Sequence, residues 1–286
     1  MKDTPSLTGL LSRFTRKKGE EAEDPFVLSQ AELFGQLPQA IGPALFLDRF
    51  TVEDMTARLE SSGFLSAMIQ KGIRQPSLVI QRVDPDEHRL LIHDKSGPEP
   101  LKIMELRMTF GRLELPDSSS FISRNSFDVL IVNWMMLQNP RARFSTERPQ
   151  LPGQEYPGLG LGRKSHEFLL QLGLELRRAG LVNHPQYFHN AVFYRDKYYF
   201  VDPCKQGELL AMVRDLSKYP MAISSPAVDE GRLMDTQRHQ TIEWHPGAMV
   251  CPIRKRLRKY FDSAKYRQSV EESMESHAYD LCCLES

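Results

Sequence analysis

Cysteine is scarce in this sequence: only four occur among 286 residues, and none belongs to a C-x-x-C pair. A small secreted domain held by disulfides needs more, so we expect a reducing, cytoplasmic location. The N-terminus lacks a continuous apolar run of signal-peptide length. No stretch approaches the ~20 apolar residues of a membrane-spanning helix, so no membrane span is expected.

Neither sign of charge is in excess, because 37 Lys and Arg residues balance 37 Asp and Glu residues. Nucleic acid, which attracts a strongly basic surface, is therefore not an expected partner. The sequence also lacks internal repeats, and its composition excludes the collagen, coiled-coil and disorder-dominated classes. A hydrophobic fraction of 41% and a charged fraction of 26% are typical of a globular protein.

The charge pattern and the turn-forming residues divide the chain into three predicted parts. Residues 1–25 form a flexible leader in which a basic cluster precedes an acidic run. Residues 26–250 form the globular domain, and residues 251–286 form a basic helix with a tail. Either the leader or the basic run of the C-terminal helix, Arg254 to Lys259, is the expected contact for a protein partner.

The domain begins with a predicted helix that Thr51 caps, with Asp54 as its capping-box partner, a break near Gly63 and an end at Gly72. Predicted strands and helices then alternate along the chain. They comprise a hairpin over 78–93, strands over 102–110 and 127–137, helices over 163–179, 207–216 and 252–275, and a second hairpin over 190–201. This order predicts an α+β fold around a mostly antiparallel central sheet flanked by helices.

A glycine-rich turn leads into the helix at 163–179. Gly158, Gly160 and Gly162 alternate with leucines and are followed by Arg163 and Lys164. Glycines let backbone N–H groups converge on an anion, and the positive end of a helix adds to the attraction. The spacing fits neither a Walker loop nor a dinucleotide fingerprint. Two interpretations stay open: an anion site, or a tight turn whose glycines allow close packing of helix and sheet.

The order of strand, glycine turn, amphipathic helix and aromatic segment resembles the GNAT acyltransferase superfamily over roughly residues 75–200. Residues 157–162 occupy the turn that holds the acyl-CoA pyrophosphate, with Pro157 where the family has Gln or Arg. Residues 190–194, with the sequence N-A-V-F-Y, are similar to the later family segment. The resemblance implies a GNAT-like sheet, a strand between Gly180 and Asn190, and a helix where the residue pattern itself predicts the second hairpin.

The resemblance also implies a reaction, with acyl-CoA as co-substrate and an amine as acceptor. Gly158, Gly160, Gly162, Arg163 and Lys164 would hold the CoA pyrophosphate. Two further residues would act as catalysts: Tyr194 would protonate the departing thiolate, and Glu105 would be the general base. The alternative is a binding or scaffold protein without catalysis, so enzymatic activity itself stays open.

Two other chemistries receive less support. His189 before the aromatic segment and Asp202 after it are similar to the His and Asp of transglutaminase-like cysteine hydrolases. No cysteine lies near residues 162–165, where such a nucleophile would fall, so hydrolysis of that type is not expected. The histidines show neither H-x-x-x-H nor H-E-x-x-H spacing, and no metal site is predicted.

Overall fold

The computed structural model of the chain describes residues 44–82, 84–116 and 125–282. The predicted leader over 1–25 lies outside the described residues. So do the first part of the predicted 26–250 domain and the last four residues of the predicted 251–286 segment. Among the described residues, no helix combines the length and the apolar character needed to cross a bilayer.

In the part of the chain that the structure describes, two short helices precede the first strand, α1 (Val52–Ser61) and α2 (Phe64–Gln70). The predicted capping box is present, because Thr51 and Asp54 exchange hydrogen bonds at the start of α1. Gly63 separates the two helices with a φ of 66°, a conformation that glycine adopts without steric cost. The break predicted at this glycine is therefore confirmed.

A four-stranded antiparallel meander follows, and its strands are β1 (Pro76–Arg82), β2 (His88–Asp94), β3 (Leu101–Glu114) and β4 (Ser126–Leu137). Helix α3 (Gly162–Glu175) then leads to β5 (Gly180–Asn183), which pairs with β4 in parallel. Helix α4 (Phe188–Tyr194) and the short strand β6 (Tyr199–Phe200) come next. The strand after Gly180 and the helix over the aromatic segment are both elements that the GNAT resemblance implied.

The remaining elements are α5 (Pro203–Leu216), α6 (Met221–Asp229), β7 (Leu233–Asp235), β8 (Gln240–Ile242), β9 (Met249–Pro252), α7 (Lys255–Phe261), α8 (Ala264–Glu275) and β10 (Tyr279–Leu281). The main sheet has the strand order β1-β2-β3-β4-β5-β9-β6, and β10, β7 and β8 form a small second sheet. In the main sheet only β4 and β5 are parallel. The predicted α+β fold around a mostly antiparallel central sheet flanked by helices is confirmed.

Side chains alternate between the two faces of the sheet and fill separate cores. On β4, Leu130 and Val132 belong to the larger core, whereas Phe127 and Val129 belong to a smaller one. The smaller core is covered by aromatic residues of α7 and α8: Tyr260, Phe261 and Tyr266. The C-terminal helices are thus layered against the sheet through one face. The boundary predicted between 250 and 251 falls inside β9.

Three sequence-based predictions about secondary structure were wrong. Residues 190–201 do not form a hairpin, because Phe188, Ala191 and Val192 are buried at the i, i+3, i+4 spacing of a helix. Helix α3 ends at Glu175 instead of Ala179, and Gly180 begins β5 instead of stopping the helix. The single C-terminal helix over 252–275 is two helices, α7 and α8.

Candidate functional site

The main sheet opens between its two parallel strands. β4 and β5 are paired at only three positions, Leu130–Leu181, Ile131–Val182 and Val132–Asn183. Beyond Val132, β4 continues to Leu137 while β5 has ended. The edge of β4 that faces β5 therefore offers backbone N–H and C=O groups that no strand of the described chain pairs with. It closes at Leu137, whose carbonyl accepts a 3.4 Å hydrogen bond from Leu159 N of the glycine turn.

A β-bulge lies where the two strands part. Arg107 of β3 pairs with Trp134, and the next residue, Met108, pairs with Val132, so Asn133 is the extra residue on β4. Asn133 is tied down by a 2.8 Å hydrogen bond from its Nδ2 to Glu87 Oε1. The bulge bends β4 at the mouth of the opening. Trp134, the residue after it, has 48% of its surface exposed.

A cavity of about 460 Å³ fills the opening between β4, the glycine turn, α3 and α4. This volume lies within the usual range for small-molecule sites, about 300–1,000 Å³. Among the described residues that line it there are no Asp, Glu, Lys or Arg side chains. Its polar groups come from backbone, amides, hydroxyls, phenols and three histidines, His166, His184 and His189.

The glycine turn forms part of the cavity wall, and all three predicted glycines line it. Gly160 has a φ of 69°, and a Cβ at Gly160 or Gly162 would meet no atom within 4 Å. Close packing of the helix on the sheet, which was the alternative interpretation, therefore does not require glycine at these two positions. They leave open space in front of the turn, which is what the approach of a ligand to the backbone requires.

The backbone N–H groups at the start of α3 lack hydrogen-bond partners among the described residues. Within α3 the first backbone bond runs from Ser165 N to Leu161 O at 2.9 Å. The N–H groups of residues 160–164 donate no hydrogen bond to any described residue. They converge on the positive end of a 14-residue helix. Together they give a cluster of donors suited to a phosphate or pyrophosphate.

The structure separates the side chains of Arg163 and Lys164 from the cavity. Neither lines it. Lys164 Nζ donates a 3.3 Å hydrogen bond to Ser62 O, which ties α3 to the turn between α1 and α2. Arg148 is the cation that contacts the turn itself, through a 2.6 Å hydrogen bond to Gly158 O. What Arg163 and Lys164 bring to the turn is their backbone N–H groups.

Two polar atoms in the cavity wall are buried without a partner. His166 Nδ1 and Asn183 Oδ1 have no hydrogen bond with the described residues. His166 lies on α3 one turn after Gly162, and Asn183 is the last residue of β5. Leaving a buried polar atom unpaired costs about 1–3 kcal/mol. Both residues line the cavity, and these two atoms lack a partner in the described chain.

Two tyrosines line the cavity on the α4 side. Tyr194 is the last residue of α4, and its ring centroid lies 5.4 Å from that of Tyr198. Tyr198 in turn contacts His166 edge to face at 5.5 Å. Burial raises the pKa of Tyr194, and it raises the pKa of Tyr198 well above the ordinary value. Both phenols therefore keep their protons at neutral pH.

Glu105 is placed elsewhere. It does not line the cavity, and its carboxylate binds three cations, at 2.6 Å from Arg89, 2.8 Å from Lys102 and 2.7 Å from Arg107. Although burial by itself raises the pKa of Glu105, hydrogen bonds from Lys102, Arg107 and Arg89 lower it to about 2. A carboxylate this acidic is a poor proton acceptor, so the structure favours a role in holding β2 and β3 together.

His189 and Asp202 do not form the pair that transglutaminase-like hydrolases have. Asp202 caps α5 by accepting a hydrogen bond from Cys204 N. His189 bonds to Ser225 instead, with Nδ1 2.8 Å from Ser225 Oγ. The described residues also contain no group of three or more His, Cys, Asp or Glu side chains placed to hold a metal ion.

The sequence-based analysis missed His166 and Asn183 as candidate ligand contacts. His166 had one detectable signal, because it stands four residues after Gly162 on the buried face of α3. Asn183 had no such sequence signal, since no neighbouring residue indicates that β5 ends there. The bulge at Asn133 was also missed, because it depends on the pairing between β3 and β4.

No protein-family model matches the sequence, and no curated protein matches it either. Some solved structures are similar to part of this chain. A crystal structure of a KacT mutant is 8% identical and has a TM-score of 0.31, covering 60% of this chain and 75% of that one. The KacTA–DNA complex is 7% identical with a TM-score of 0.29, covering 79% and 95%.

A third solved structure is described as AtaTR bound with AcCoA. It is 12% identical with a TM-score of 0.28, and the overlap covers 78% of this chain and 95% of that one. Each of these matches is a partial structural similarity.

Proposed function

We propose that the chain is an acyl-CoA-dependent N-acyltransferase whose cavity between β4 and β5 holds the acyl-CoA. One observation supports this most: the free N–H groups of residues 160–162 stand in the wall of a cavity that continues along an unpaired strand edge. A molecule with a pyrophosphate and an extended amide-containing arm matches both features. CoA is such a molecule, and the resemblance to the GNAT superfamily implies the same co-substrate.

The pyrophosphate is assigned to the glycine turn. The N–H groups there have no partner in the described chain, so binding a phosphate forms hydrogen bonds without first breaking any. Oxygen anions at the start of a helix are further stabilised by its dipole. Arg148 holds the Gly158 carbonyl and so fixes the turn in its open form.

The amide-containing arm of CoA is assigned to the gap between the strands. The edge of β4 after Val132 offers donors and acceptors at the spacing of a β-ladder, which an extended amide chain can pair with. Asn183 Oδ1 is an unpaired acceptor beside it, suited to an amide N–H. The arm would thus replace the strand pairing that β5 does not provide.

In the proposed reaction the acyl group passes directly from CoA to the acceptor amine. The nitrogen of an acceptor amine attacks the thioester carbonyl and forms the new C–N bond. The C–S bond then breaks, and the thiolate takes a proton from a phenol, for which we propose Tyr194. Backbone N–H groups of β4 at the bulge would polarise the carbonyl oxygen.

The location and partners follow from the same proposal. Cys204, Cys251 and Cys282 are all free thiols, which fits the cytoplasm that we propose. The small-molecule partners would be the thioester and an amine acceptor. A protein partner would bind the basic surface of α7, whose exposed residues include Lys255, Arg256 and Lys259.

Replacing Gly160 with alanine is expected to weaken acetyl-CoA binding at least about tenfold, a loss of about 1.4 kcal/mol. The added Cβ would occupy the open space in front of the turn, where the phosphate approaches. The measurement is thermal melting with and without acetyl-CoA. At ~100 times its dissociation constant, a bound ligand adds about 2.7 kcal/mol to the stability of the wild type.

Gly231→Ala is the matched control. Gly231 has a φ of 72° and the same open surroundings as Gly160, but it does not line the cavity. Both substitutions force alanine into the left-handed region, at a similar cost of about 1–2 kcal/mol. Only Gly160→Ala should lose the stabilisation by acetyl-CoA. Equal behaviour of the two variants, or no stabilisation of the wild type, would contradict the proposed function.

A further inference from the structure

His189 is a buried histidine held on three sides. It is 3% exposed, its ring stacks on Tyr187 with centroids 5.6 Å apart, and it contacts Phe193 edge to face at 5.7 Å. Its Nδ1 lies 2.8 Å from Ser225 Oγ, a side chain from α6 that is itself buried. The stacking on Tyr187, the contact with Phe193 and the hydrogen bond to Ser225 together fix the orientation of the imidazole.

The other ring nitrogen is available to a ligand. His189 lines the cavity, and its Nε2 makes no hydrogen bond with any described residue. The serine hydroxyl can accept a hydrogen bond from Nδ1–H, and in that tautomer Nε2 carries a lone pair. An oriented lone pair in the cavity wall is what a general base requires.

The chemistry of the wall limits which group can accept a proton there. Among the described lining residues there is no carboxylate, so the groups that titrate nearest neutral pH are His166, His184 and His189. His166 has its Nδ1 buried and unpaired, and its ring faces Tyr198. His184 has no hydrogen bond from the described chain to fix its ring. Of the three, His189 alone has a second residue that orients it.

We propose that Nε2 of His189 accepts the proton that the acceptor amine loses, and that Ser225 is the positioning residue that sets the tautomer. This inference rests on the proposed acyl transfer. As the amine nitrogen bonds to the carbonyl carbon, its N–H bond breaks and the proton passes to Nε2, giving an imidazolium. The phenol proton of Tyr194 goes to the thiolate, and the imidazolium proton restores the phenol through solvent. The products are the amide and CoA thiol.

The protonation state of the resting ring is compatible with this role. Burial lowers the pKa of His189 to about 4, so the imidazole is neutral at pH 7. The groups packed against the ring are Tyr187, Phe193 and Ser225, and none of them is an Asp, Glu, Lys or Arg side chain. On acidification the ring becomes protonated only well below pH 6.5, and the rate should fall there.

The test uses the full chain with acetyl-CoA and ethylamine as the acceptor, and it follows the release of free CoA thiol. His189→Gln keeps a polar side chain of similar length but has no basic nitrogen. We expect kcat to fall about 100-fold or more, with the acetyl-CoA dissociation constant unchanged and the acidic limb of the pH profile abolished. A kcat within about threefold of the wild type, with acetyl-CoA still bound, would overturn the assignment of His189 alone. Absence of acetyl-CoA binding in the wild type would overturn the acyltransferase proposal and this one together.

Ser225→Ala separates positioning from packing. We expect a loss of about fivefold in kcat, corresponding to one hydrogen bond, and a shift in the acidic limb of the pH profile. The neighbouring Ser224→Ala is the control, because Ser224 is equally buried but contacts Met221 Sδ and not the imidazole. Equal pH profiles for the two variants would overturn the role of Ser225.

A second measurement does not depend on the acceptor. In ¹⁵N-histidine NMR spectra of the full chain at pH 7, the proposal predicts that His189 carries its proton on Nδ1 and that Ser225→Ala changes this tautomer balance. A proton on Nε2 in the resting protein would overturn the proposal, because that nitrogen could then not accept another without first losing its own.

Discussion

Glu105→Gln should lower the free energy of unfolding by about 3 kcal/mol while leaving thiol release from acetyl-CoA close to that of the wild type. The carboxylate is 2% exposed and binds Arg89, Lys102 and Arg107. A neutral amide cannot compensate three cations, so their charges would be left without a partner at the surface of β2 and β3. The measurement is urea unfolding of both proteins at pH 7.

The same carboxylate predicts a dependence of stability on acid. The pKa of Glu105 is lowered from 4.5 to about 2 in the folded chain. A lowered folded-state pKa stabilises the native state above the unfolded-state pKa, and this contribution is lost as the pH falls from 4.5 toward 2. The wild type should therefore lose more stability between pH 5 and pH 3 than Glu105→Gln does.

Glu114→Gln is the control for both measurements. Glu114 lies on the same strand but is exposed, and its carboxylate accepts a single hydrogen bond from Ser126 Oγ. Its substitution should change stability by no more than about 0.5 kcal/mol. If Glu105→Gln abolished thiol release but left stability intact, Glu105 would be the general base after all and the structural role assigned to it would be wrong.

Tyr194→Phe is expected to reduce kcat for acyl transfer about 100-fold or more, with little change in acetyl-CoA affinity. The substitution removes only the phenol oxygen and keeps the ring that packs against Tyr198. Without a proton donor the leaving group departs as a free thiolate, which raises the barrier to breaking the C–S bond. Because burial raises the pKa of Tyr194, the rate of the wild type should hold through neutral pH on the alkaline side.

Tyr198→Phe provides the comparison, since Tyr198 lines the same cavity and contacts both Tyr194 and His166. Thiol release from acetyl-CoA with ethylamine as acceptor measures both variants. A large loss in Tyr198→Phe together with an active Tyr194→Phe would contradict the assignment and move the proton donor to Tyr198.

Much of the fold could be predicted because its signals are local. The capping box at Thr51, the break at Gly63 and the apolar run over 127–137 each depend on residues close in sequence. The α+β class with a mostly antiparallel sheet followed from their order. The glycine turn was also predictable, because alternating glycines before an amphipathic helix are visible without any tertiary contact.

The sequence-based predictions failed where tertiary contacts decide the secondary structure or the partners of a side chain. The aromatic and β-branched residues of 190–201 favour strands by propensity, yet burying Phe188, Ala191 and Val192 on one side makes α4 a helix. Glu105 could not be assigned from sequence, because the three cations around it come from two strands and their convergence depends on register. The bond between His189 and Ser225 joins residues 36 positions apart, and no local pattern signals it.

A crystal structure of the chain with CoA is the most direct test of whether the cavity between β4 and β5 holds CoA by its pyrophosphate. We expect phosphate oxygens at about 2.7–3.2 Å from the backbone nitrogens of residues 160–164, with the arm along β4 beyond Val132. The sulfur should then lie near the hydroxyl of Tyr194. CoA bound at another surface, or a cavity that stays empty at saturating CoA, would contradict this expectation.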